Sequence, residues 1–289
     1  MRHKPCPREN ILTDTCHIVH RPPDTSLEEA LARLACDDDL ADIEQDTDNC
    51  LHSCSQMLGG AEYNDRLDWI MNHRKLNTWL GTPTSSFLVI NGRQPAILRR
   101  GPTTTACARL YRTLRTISPA TERVVISCLV GEHTSRAPVW LVRGMLGDGL
   151  RAQTGRATDA DLLDSVKAAR MTSTSKLCGI FSKYIKGLRK DLEVIILIDG
   201  LSFYADRERR EDTALLLKCL HGLCKPLPND TDGPVVKVLV SECGRLPSSI
   251  APKSLAATDV LAVPDLVPTW NRGRERLLRS EATRRTRLG

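Results

Sequence analysis

The stretch Phe87–Leu110, FLVINGRQPAILRRGPTTTACARL, decides how the chain is read. An apolar run, Phe87 to Ile90, reads as a buried strand, and Gly92 follows it. A second glycine, Gly101, stands before Pro102, a residue suited to the first turn of a helix. Strand, glycine loop and helix is the layout of a phosphate-binding loop. In the working pattern G-x-x-x-x-G-K-[ST], backbone N–H groups hold the phosphates, the lysine reaches the β/γ-phosphates and the hydroxyl binds magnesium. Here eight residues separate Gly92 from Gly101, Pro102 stands in place of the lysine, and Thr103 stands in place of the hydroxyl.

Outward from this stretch, apolar runs and helical patterns alternate. Ala106, Leu110, Leu114 and Ile117 give the helix after Pro102 an apolar stripe, ended by Ser118-Pro119. Val124–Val130, Val194–Ile198 and Val235–Val240 read as further strands, and Val260–Val263 as a last one. Asp161–Arg170, Ser175–Leu188 and Arg207–Leu223 keep helical spacing. Continuous apolar strands alternating with helices predict an α/β fold, a parallel sheet covered by helices on both faces. Ligands of such sheets bind at the carboxyl ends of the strands. That directs attention to Asn91-Gly92, Gly131-Glu132-His133, Asp199-Gly200 and Ser241 through Arg245.

The flanks differ from this centre. Residues 1–48 read as a largely disordered N-terminus with one short acidic helix, in which Ser26 and Glu29 form a capping box and Leu27, Leu31 and Leu34 share a face. Leu27 to Asp48 contains nine acidic residues and one arginine. Residues 49–80 form a helical lead-in, residues 81–265 the α/β domain, and residues 266–289 a basic, disordered tail. That tail carries Arg272, Arg274, Arg276, Arg279, Arg284, Arg285 and Arg287, and could contact nucleic acid, another polyanion, or the chain's own acidic helix. It lacks interleaved aromatic residues for base stacking.

The net charge of +6 implies no particular ligand by itself. The 41% apolar content suffices for a core, but with 4% aromatics the core must be aliphatic. Eleven scattered cysteines, several inside apolar segments, suggest reduced thiols in an intracellular, cytoplasmic protein. The N-terminus has no apolar h-region, and no run approaches the length of a membrane span. Cys50, His52 and Cys54 lie close together without a second well-spaced pair, so a zinc site is not expected there. The spacing of Cys6, Cys16, His17 and His20 matches no zinc pattern either. Core packing accounts for Cys219, beside His221 and Cys224.

The succession SSFLVING (Ser85–Gly92), VGEH (Val130–His133), VIILIDGLSFYAD (Val194–Asp206) and VKVLVSECGR (Val236–Arg245) resembles fungal NACHT or nephrocystin-like domains with an eroded phosphate loop. The resemblance spans roughly residues 50–265. It implies a P-loop NTPase fold of the ASCE/STAND type, with an extra strand between the phosphate-loop strand and the strand carrying the magnesium-binding aspartate. Asp199 matches that aspartate. Gly92 and Gly101 match the loop glycines, Thr103 the magnesium hydroxyl, and Arg245 the arginine that often follows the later strand. Arg99 and Arg100 are cations beside the loop. Members commonly read D-G-L-D-E, but here Ser202 and Phe203 occupy the two later acidic positions.

Phosphoryl transfer depends on positioning and charge stabilisation, and each ~1.4 kcal/mol lost costs about tenfold in rate. Loss of the lysine and the acids therefore argues against catalysis. The expectation is a non-catalytic scaffold or regulatory module acting through protein–protein contacts. Its alternative is a weak ATP/GTP-binding switch, with Mg-ATP or Mg-GTP held by Gly92, Arg99, Arg100, Gly101, Thr103 and Arg245, and the metal by Asp199 and Thr103. Each residue also has a plainer reading. Asp199 can end a strand and cap a turn, Gly92 can serve a turn, and Gly101-Pro102-Thr103 can start a helix that needs no ligand.

Overall fold

Five parallel strands form one sheet in the order β2-β3-β4-β1-β5. They are β1 (Ser86–Asn91), β2 (Arg123–Leu129), β3 (Glu193–Asp199), β4 (Val235–Glu242) and β5 (Val260–Ala262). The computed structural model describes residues 25–34, 43–57, 60–94, 100–117, 122–129, 137–152, 160–169, 172–225 and 233–267. Strand β4 lies between β1 and β3, with Ile90 opposite Ser241 on one side and Asp199 opposite Ser241 on the other.

The strands alternate their side chains between two apolar layers. Phe87, Val89, Ile126, Val194, Ile196, Ile198, Val238 and Val240 enter one layer. Leu88, Ile90, Val125, Ile195, Leu197 and Leu239 enter the other. This is the physical meaning of the continuous apolar runs: with both faces covered, most strand positions are apolar, and Ser127 and Lys237 are buried polar exceptions. The first layer is completed by α1 (Thr25–Leu34), α6 (Pro138–Ala152), α7 (Ala160–Ala168), α8 (Thr174–Lys186) and α9 (Arg210–Leu223). The second is completed by α2 (Ile43–Met57), α3 (Ala61–Asn72), α4 (Arg74–Gly81) and α5 (Pro102–Ile117). Helices therefore cover both faces, as the alternation predicts.

Several local expectations change. Ile117 does not join the stripe of α5; it is 71% exposed at the helix end. Ser26 and Glu29 do not act as a capping box, because α1 already starts at Thr25. They meet Lys167 of α7 instead: its Nζ donates to Ser26 Oγ at 2.8 Å and pairs with Glu29 at 3.0 Å. Leu27, Ala30 and Leu34 of α1 are buried in the first layer, and Arg143 donates two hydrogen bonds to Leu34 O. The acidic helix is thus packed against the domain.

Helix α6 has no counterpart in the periodicity reading. Its sequence, PVWLVRGMLGDGLRA, carries three glycines, which lower helix propensity. Tertiary packing overrides that. At Gly149 a Cβ would stand 2.5 Å from Tyr184 Cε1, and Tyr184 donates to Gly149 O at 2.6 Å. The glycine lets α8 approach α6 closely.

A charged cluster closes the amino end of the sheet. Lys237 is 2% exposed, pairs with Glu193 Oε1 at 2.5 Å and donates to Leu80 O. Arg123 pairs with the same Glu193 at 2.5 Å. Removing one member of a buried pair costs about 3–5 kcal/mol. Lys237→Ala should fall toward the lower end of that range in urea unfolding, because Arg123 still partners Glu193. Lys237→Met combined with Glu193→Gln should lose less than Lys237→Ala alone.

Candidate functional site at the carboxyl edge of the sheet

Strand β3 ends at Asp199 because Gly200 turns the chain with φ 81°, a left-handed conformation that glycine adopts without a Cβ clash. A single 3-10 turn, Leu201–Tyr204, follows. Asp199 is fully buried and accepts a hydrogen bond from Ser241 Oγ at 2.5 Å. The register of β3 and β4 makes these two residues direct neighbours.

The loop after β1 is held on two sides. From β4, Gly92 N–H donates to Glu242 O at 2.8 Å, Gln94 N–H to Cys243 O at 2.7 Å and Arg93 N–H to Gly244 O at 3.0 Å. These three amides, which a phosphate cradle would aim at its ligand, extend the β1–β4 pairing instead. From α3, Arg66 donates to Gly92 O at 3.4 Å and to Asp265 O at 2.6 Å, while Tyr63 donates to Gly101 O at 3.2 Å. One helix therefore grips the carbonyls of both loop glycines.

The space above Gly101 is taken. A Cβ there would stand 2.8 Å from Gln94 Oε1 and 3.1 Å from Cys243 Sγ. Gln94 Oε1 is itself buried without a hydrogen-bond partner. Gly101 N–H donates to Thr104 Oγ1 at 3.3 Å. Thr103, 1% exposed, directs its hydroxyl to Cys243 Sγ at 3.8 Å, and Thr104 Oγ1 lies 3.7 Å from the same sulfur. Cys243 thus occupies the point where the two loop ends and the start of α5 converge. Burial, with the nearby Asp199 charge, pushes its thiol up to about 12.

Gly92, Gly101 and Thr103 are brought together, and Asp199 lies one strand beyond, linked through Ser241. Arg100 is half-buried beside Gly101 and Arg245 is exposed. Arg99, Glu132 and His133, together with Cys6, Cys16, His17, His20 and the arginines of the tail, lie outside the described residues. Among the described residues, no group of three or more His, Cys, Asp or Glu side chains is placed to hold a metal ion. No helix among them is long and apolar enough to cross a membrane.

Glu242 lies in the Ser241–Arg245 segment that the sequence marks, but the sequence assigns it no role. It is fully buried, and its carboxyl accepts from Ser202 N–H at 3.0 and 3.2 Å. This carboxyl comes from the end of β4 and lies against the turn that carries Ser202. Its state differs from that of a general base. Burial raises its pKa to about 8, partly offset by the Ser202 hydrogen bond and reinforced by the Asp199 charge. Near neutral pH it carries its proton. Arg66 and Tyr63 also escaped notice, because on the sequence they are ordinary members of a helix. No local pattern marks a side chain that reaches a loop 26 or 38 residues away.

A cavity of about 540 Å³ lies away from this edge, against α4 and the start of β1, where His73, Lys75, Trp79, Ser86 and Asp259 line it. It is at the amino end of β1, opposite to where ligands of parallel sheets bind.

Scans against protein-family models and against curated proteins found no match to this chain.

Two consequences can be measured. A Cβ at Gly92 would stand 2.6 Å from Cys243 O and 2.9 Å from Glu242 O, both backbone atoms. Gly92→Ala should therefore destabilise the fold by about 1–3 kcal/mol in denaturant unfolding, the usual cost of overpacking. The raised pKa of Glu242 sets a pH dependence. Its carboxyl is neutral in both states at low pH, and ionises first in the unfolded chain as pH rises. Stability should thus decline from about pH 5 to about pH 8 through this group. Glu242→Gln, which keeps the acceptor for Ser202 N–H, should flatten that decline. A variant and parent with parallel pH profiles would refute it.

Proposed function

We propose that this chain is a non-catalytic scaffold or regulatory module, built on a degenerate NACHT-like P-loop domain and acting through protein–protein contacts. The observation that carries the reading is the fate of the loop amides. Gly92, Arg93 and Gln94 spend their N–H groups on the carbonyls of Glu242, Gly244 and Cys243, and Gln94 sits over Gly101. The P-loop ancestry is supported by the position of β4 between β1 and β3, the arrangement the resemblance implied, and by Asp199 at the end of β3. The donors match Mg-ATP or Mg-GTP poorly. Among the described loop residues, Gly92, Arg93 and Gln94 have their amides already paired, and Thr103 turns its hydroxyl toward sulfur.

One observation favours the alternative, a weak ATP/GTP-binding switch. Gly101 precedes the 16-residue helix α5, whose N-terminus attracts anions, with Arg100 beside it and Asp199 one strand beyond the loop that precedes it. Thermal unfolding separates the two readings. A ligand at a hundred times its Kd stabilises by about 2.7 kcal/mol. The scaffold reading predicts no shift in Tm with millimolar Mg-ATP or Mg-GTP. A rise in Tm that Asp199→Ala abolishes would overturn it in favour of the switch.

The arginine tail adds a lower alternative, polyanion binding. Heparin affinity should disappear on deletion of residues 272–289 if the tail is responsible, and should persist if it is not.

A further inference from the structure

Helices α8 and α9 pack face to face, and each presents a cysteine to the other. Cys178 of α8 is 5% exposed, and Cys219 of α9 is half-buried. The Cys219 sulfur faces residue 178 directly across this seam. The Cys219 S–H also donates to Cys178 O at 3.6 Å, and Ser182 Oγ lies 3.2 Å from Cys219 Sγ. Neither cysteine belongs to the carboxyl edge of the sheet.

We propose that Cys178 and Cys219 form a peroxide-responsive dithiol that closes to a disulfide across α8 and α9. Three features of the geometry carry this. The Cys219 sulfur already lies 3.6 Å from the carbonyl oxygen of Cys178 on the neighbouring helix, so a bond between the two cysteines joins positions 41 residues apart in the chain. Cys219 is the more accessible of the two, and among the described cysteines it alone is not buried. The Ser182 hydroxyl, 3.2 Å from Cys219 Sγ, stands ready to stabilise a thiolate there. Hydrogen bonding from Cys178 accordingly holds the Cys219 thiol below the usual range and raises its partner. Burial pushes Cys107, Cys128, Cys224 and Cys243 in the opposite direction. The thiolate is the nucleophile in such chemistry, so Cys219 reacts first.

The steps balance with hydrogen peroxide as oxidant. The Cys219 thiolate attacks one peroxide oxygen. An S–O bond forms, the O–O bond breaks, and the departing hydroxide takes a proton to become water. Cys219 is then a sulfenic acid. The Cys178 sulfur attacks the Cys219 sulfur, an S–S bond forms, the S–O bond breaks, and hydroxide leaves with the Cys178 proton as a second water. Two thiols are oxidised by two electrons and one peroxide is reduced to two waters. A disulfide needs its sulfurs at about 2.05 Å, so both side chains rotate inward from hydrogen-bond contact.

The test uses the full folded chain with Cys6, Cys16, Cys36 and Cys54 changed to Ser. After limited peroxide treatment, thiols are alkylated in denaturant and the protein is digested without reductant. The proposal predicts a linked pair of peptides carrying Cys178 and Cys219, reversed by dithiothreitol, with the other cysteines alkylated. Cys178→Ser should accumulate a sulfenic acid at Cys219 that dimedone traps. Cys219→Ser should leave Cys178 a free thiol at the same dose. Full alkylation of both cysteines after peroxide, or oxidation of Cys178 at an equal rate in Cys219→Ser, would overturn the proposal. Circular dichroism of each variant ensures that only folded protein is compared.

Discussion

Buried backbone N–H groups must find acceptors, and at the exit of β1 the acceptors are on β4. The amides of Gly92, Arg93 and Gln94 reach the carbonyls of Glu242, Cys243 and Gly244, so the β1–β4 ladder continues past the end of both strands. Much else at this edge follows from that continuation. It brings Cys243 over Gly101 and next to the hydroxyls of Thr103 and Thr104. It places Glu242 against the turn after β3. It also makes Gly92 indispensable, since any side chain there would meet two carbonyl oxygens.

The same edge contains two fully buried carboxyl groups from neighbouring strands, Asp199 and Glu242. Such a pair is costly if both are ionised, because each charge is desolvated and the two repel. Burial, reinforced by the Asp199 charge, accordingly raises the pKa of Glu242 to about 8. Ser241 donates to Oδ1 of Asp199 from the side, and Ser202 N–H donates to Glu242. A phosphate cradle should be electropositive and open. Among the described residues, this edge holds two buried carboxyls, and Gln94 and Cys243 stand over Gly101.

Arg66 and Tyr63 of α3 complete the closure from the other face by holding Gly92 O and Gly101 O. Arg66 is 7% exposed, and a buried guanidinium is tolerated because its donors meet Glu62 and two backbone carbonyls. The lead-in helices are thus structural partners of the loop. On the opposite layer, α1 is bound to α6 and α7 through Arg143 and Lys167 in the same manner.

Most of the sheet was legible in the sequence, because a strand buried on both faces is apolar at most of its positions. Phe87–Ile90, Val194–Ile198 and Val235–Val240 therefore announced themselves without any partner. Pro102 marked the start of α5 for a reason equally local, the missing N–H that a first turn does not need. Helix α6 was hidden, because Gly144, Gly147 and Gly149 lower its intrinsic propensity and only contact with α8 explains Gly149. The candidate site divides in the same way. Local residue identity put Pro102 after Gly101, and Ser202 and Phe203 after Leu201. Only the tertiary structure decided that Glu242 of another strand meets Ser202 N–H, that Gln94 and Cys243 stand over Gly101, and that α3 clamps the loop. Those contacts join residues up to about 200 positions apart, and periodicity carries no information about which distant side chain will meet a given backbone group.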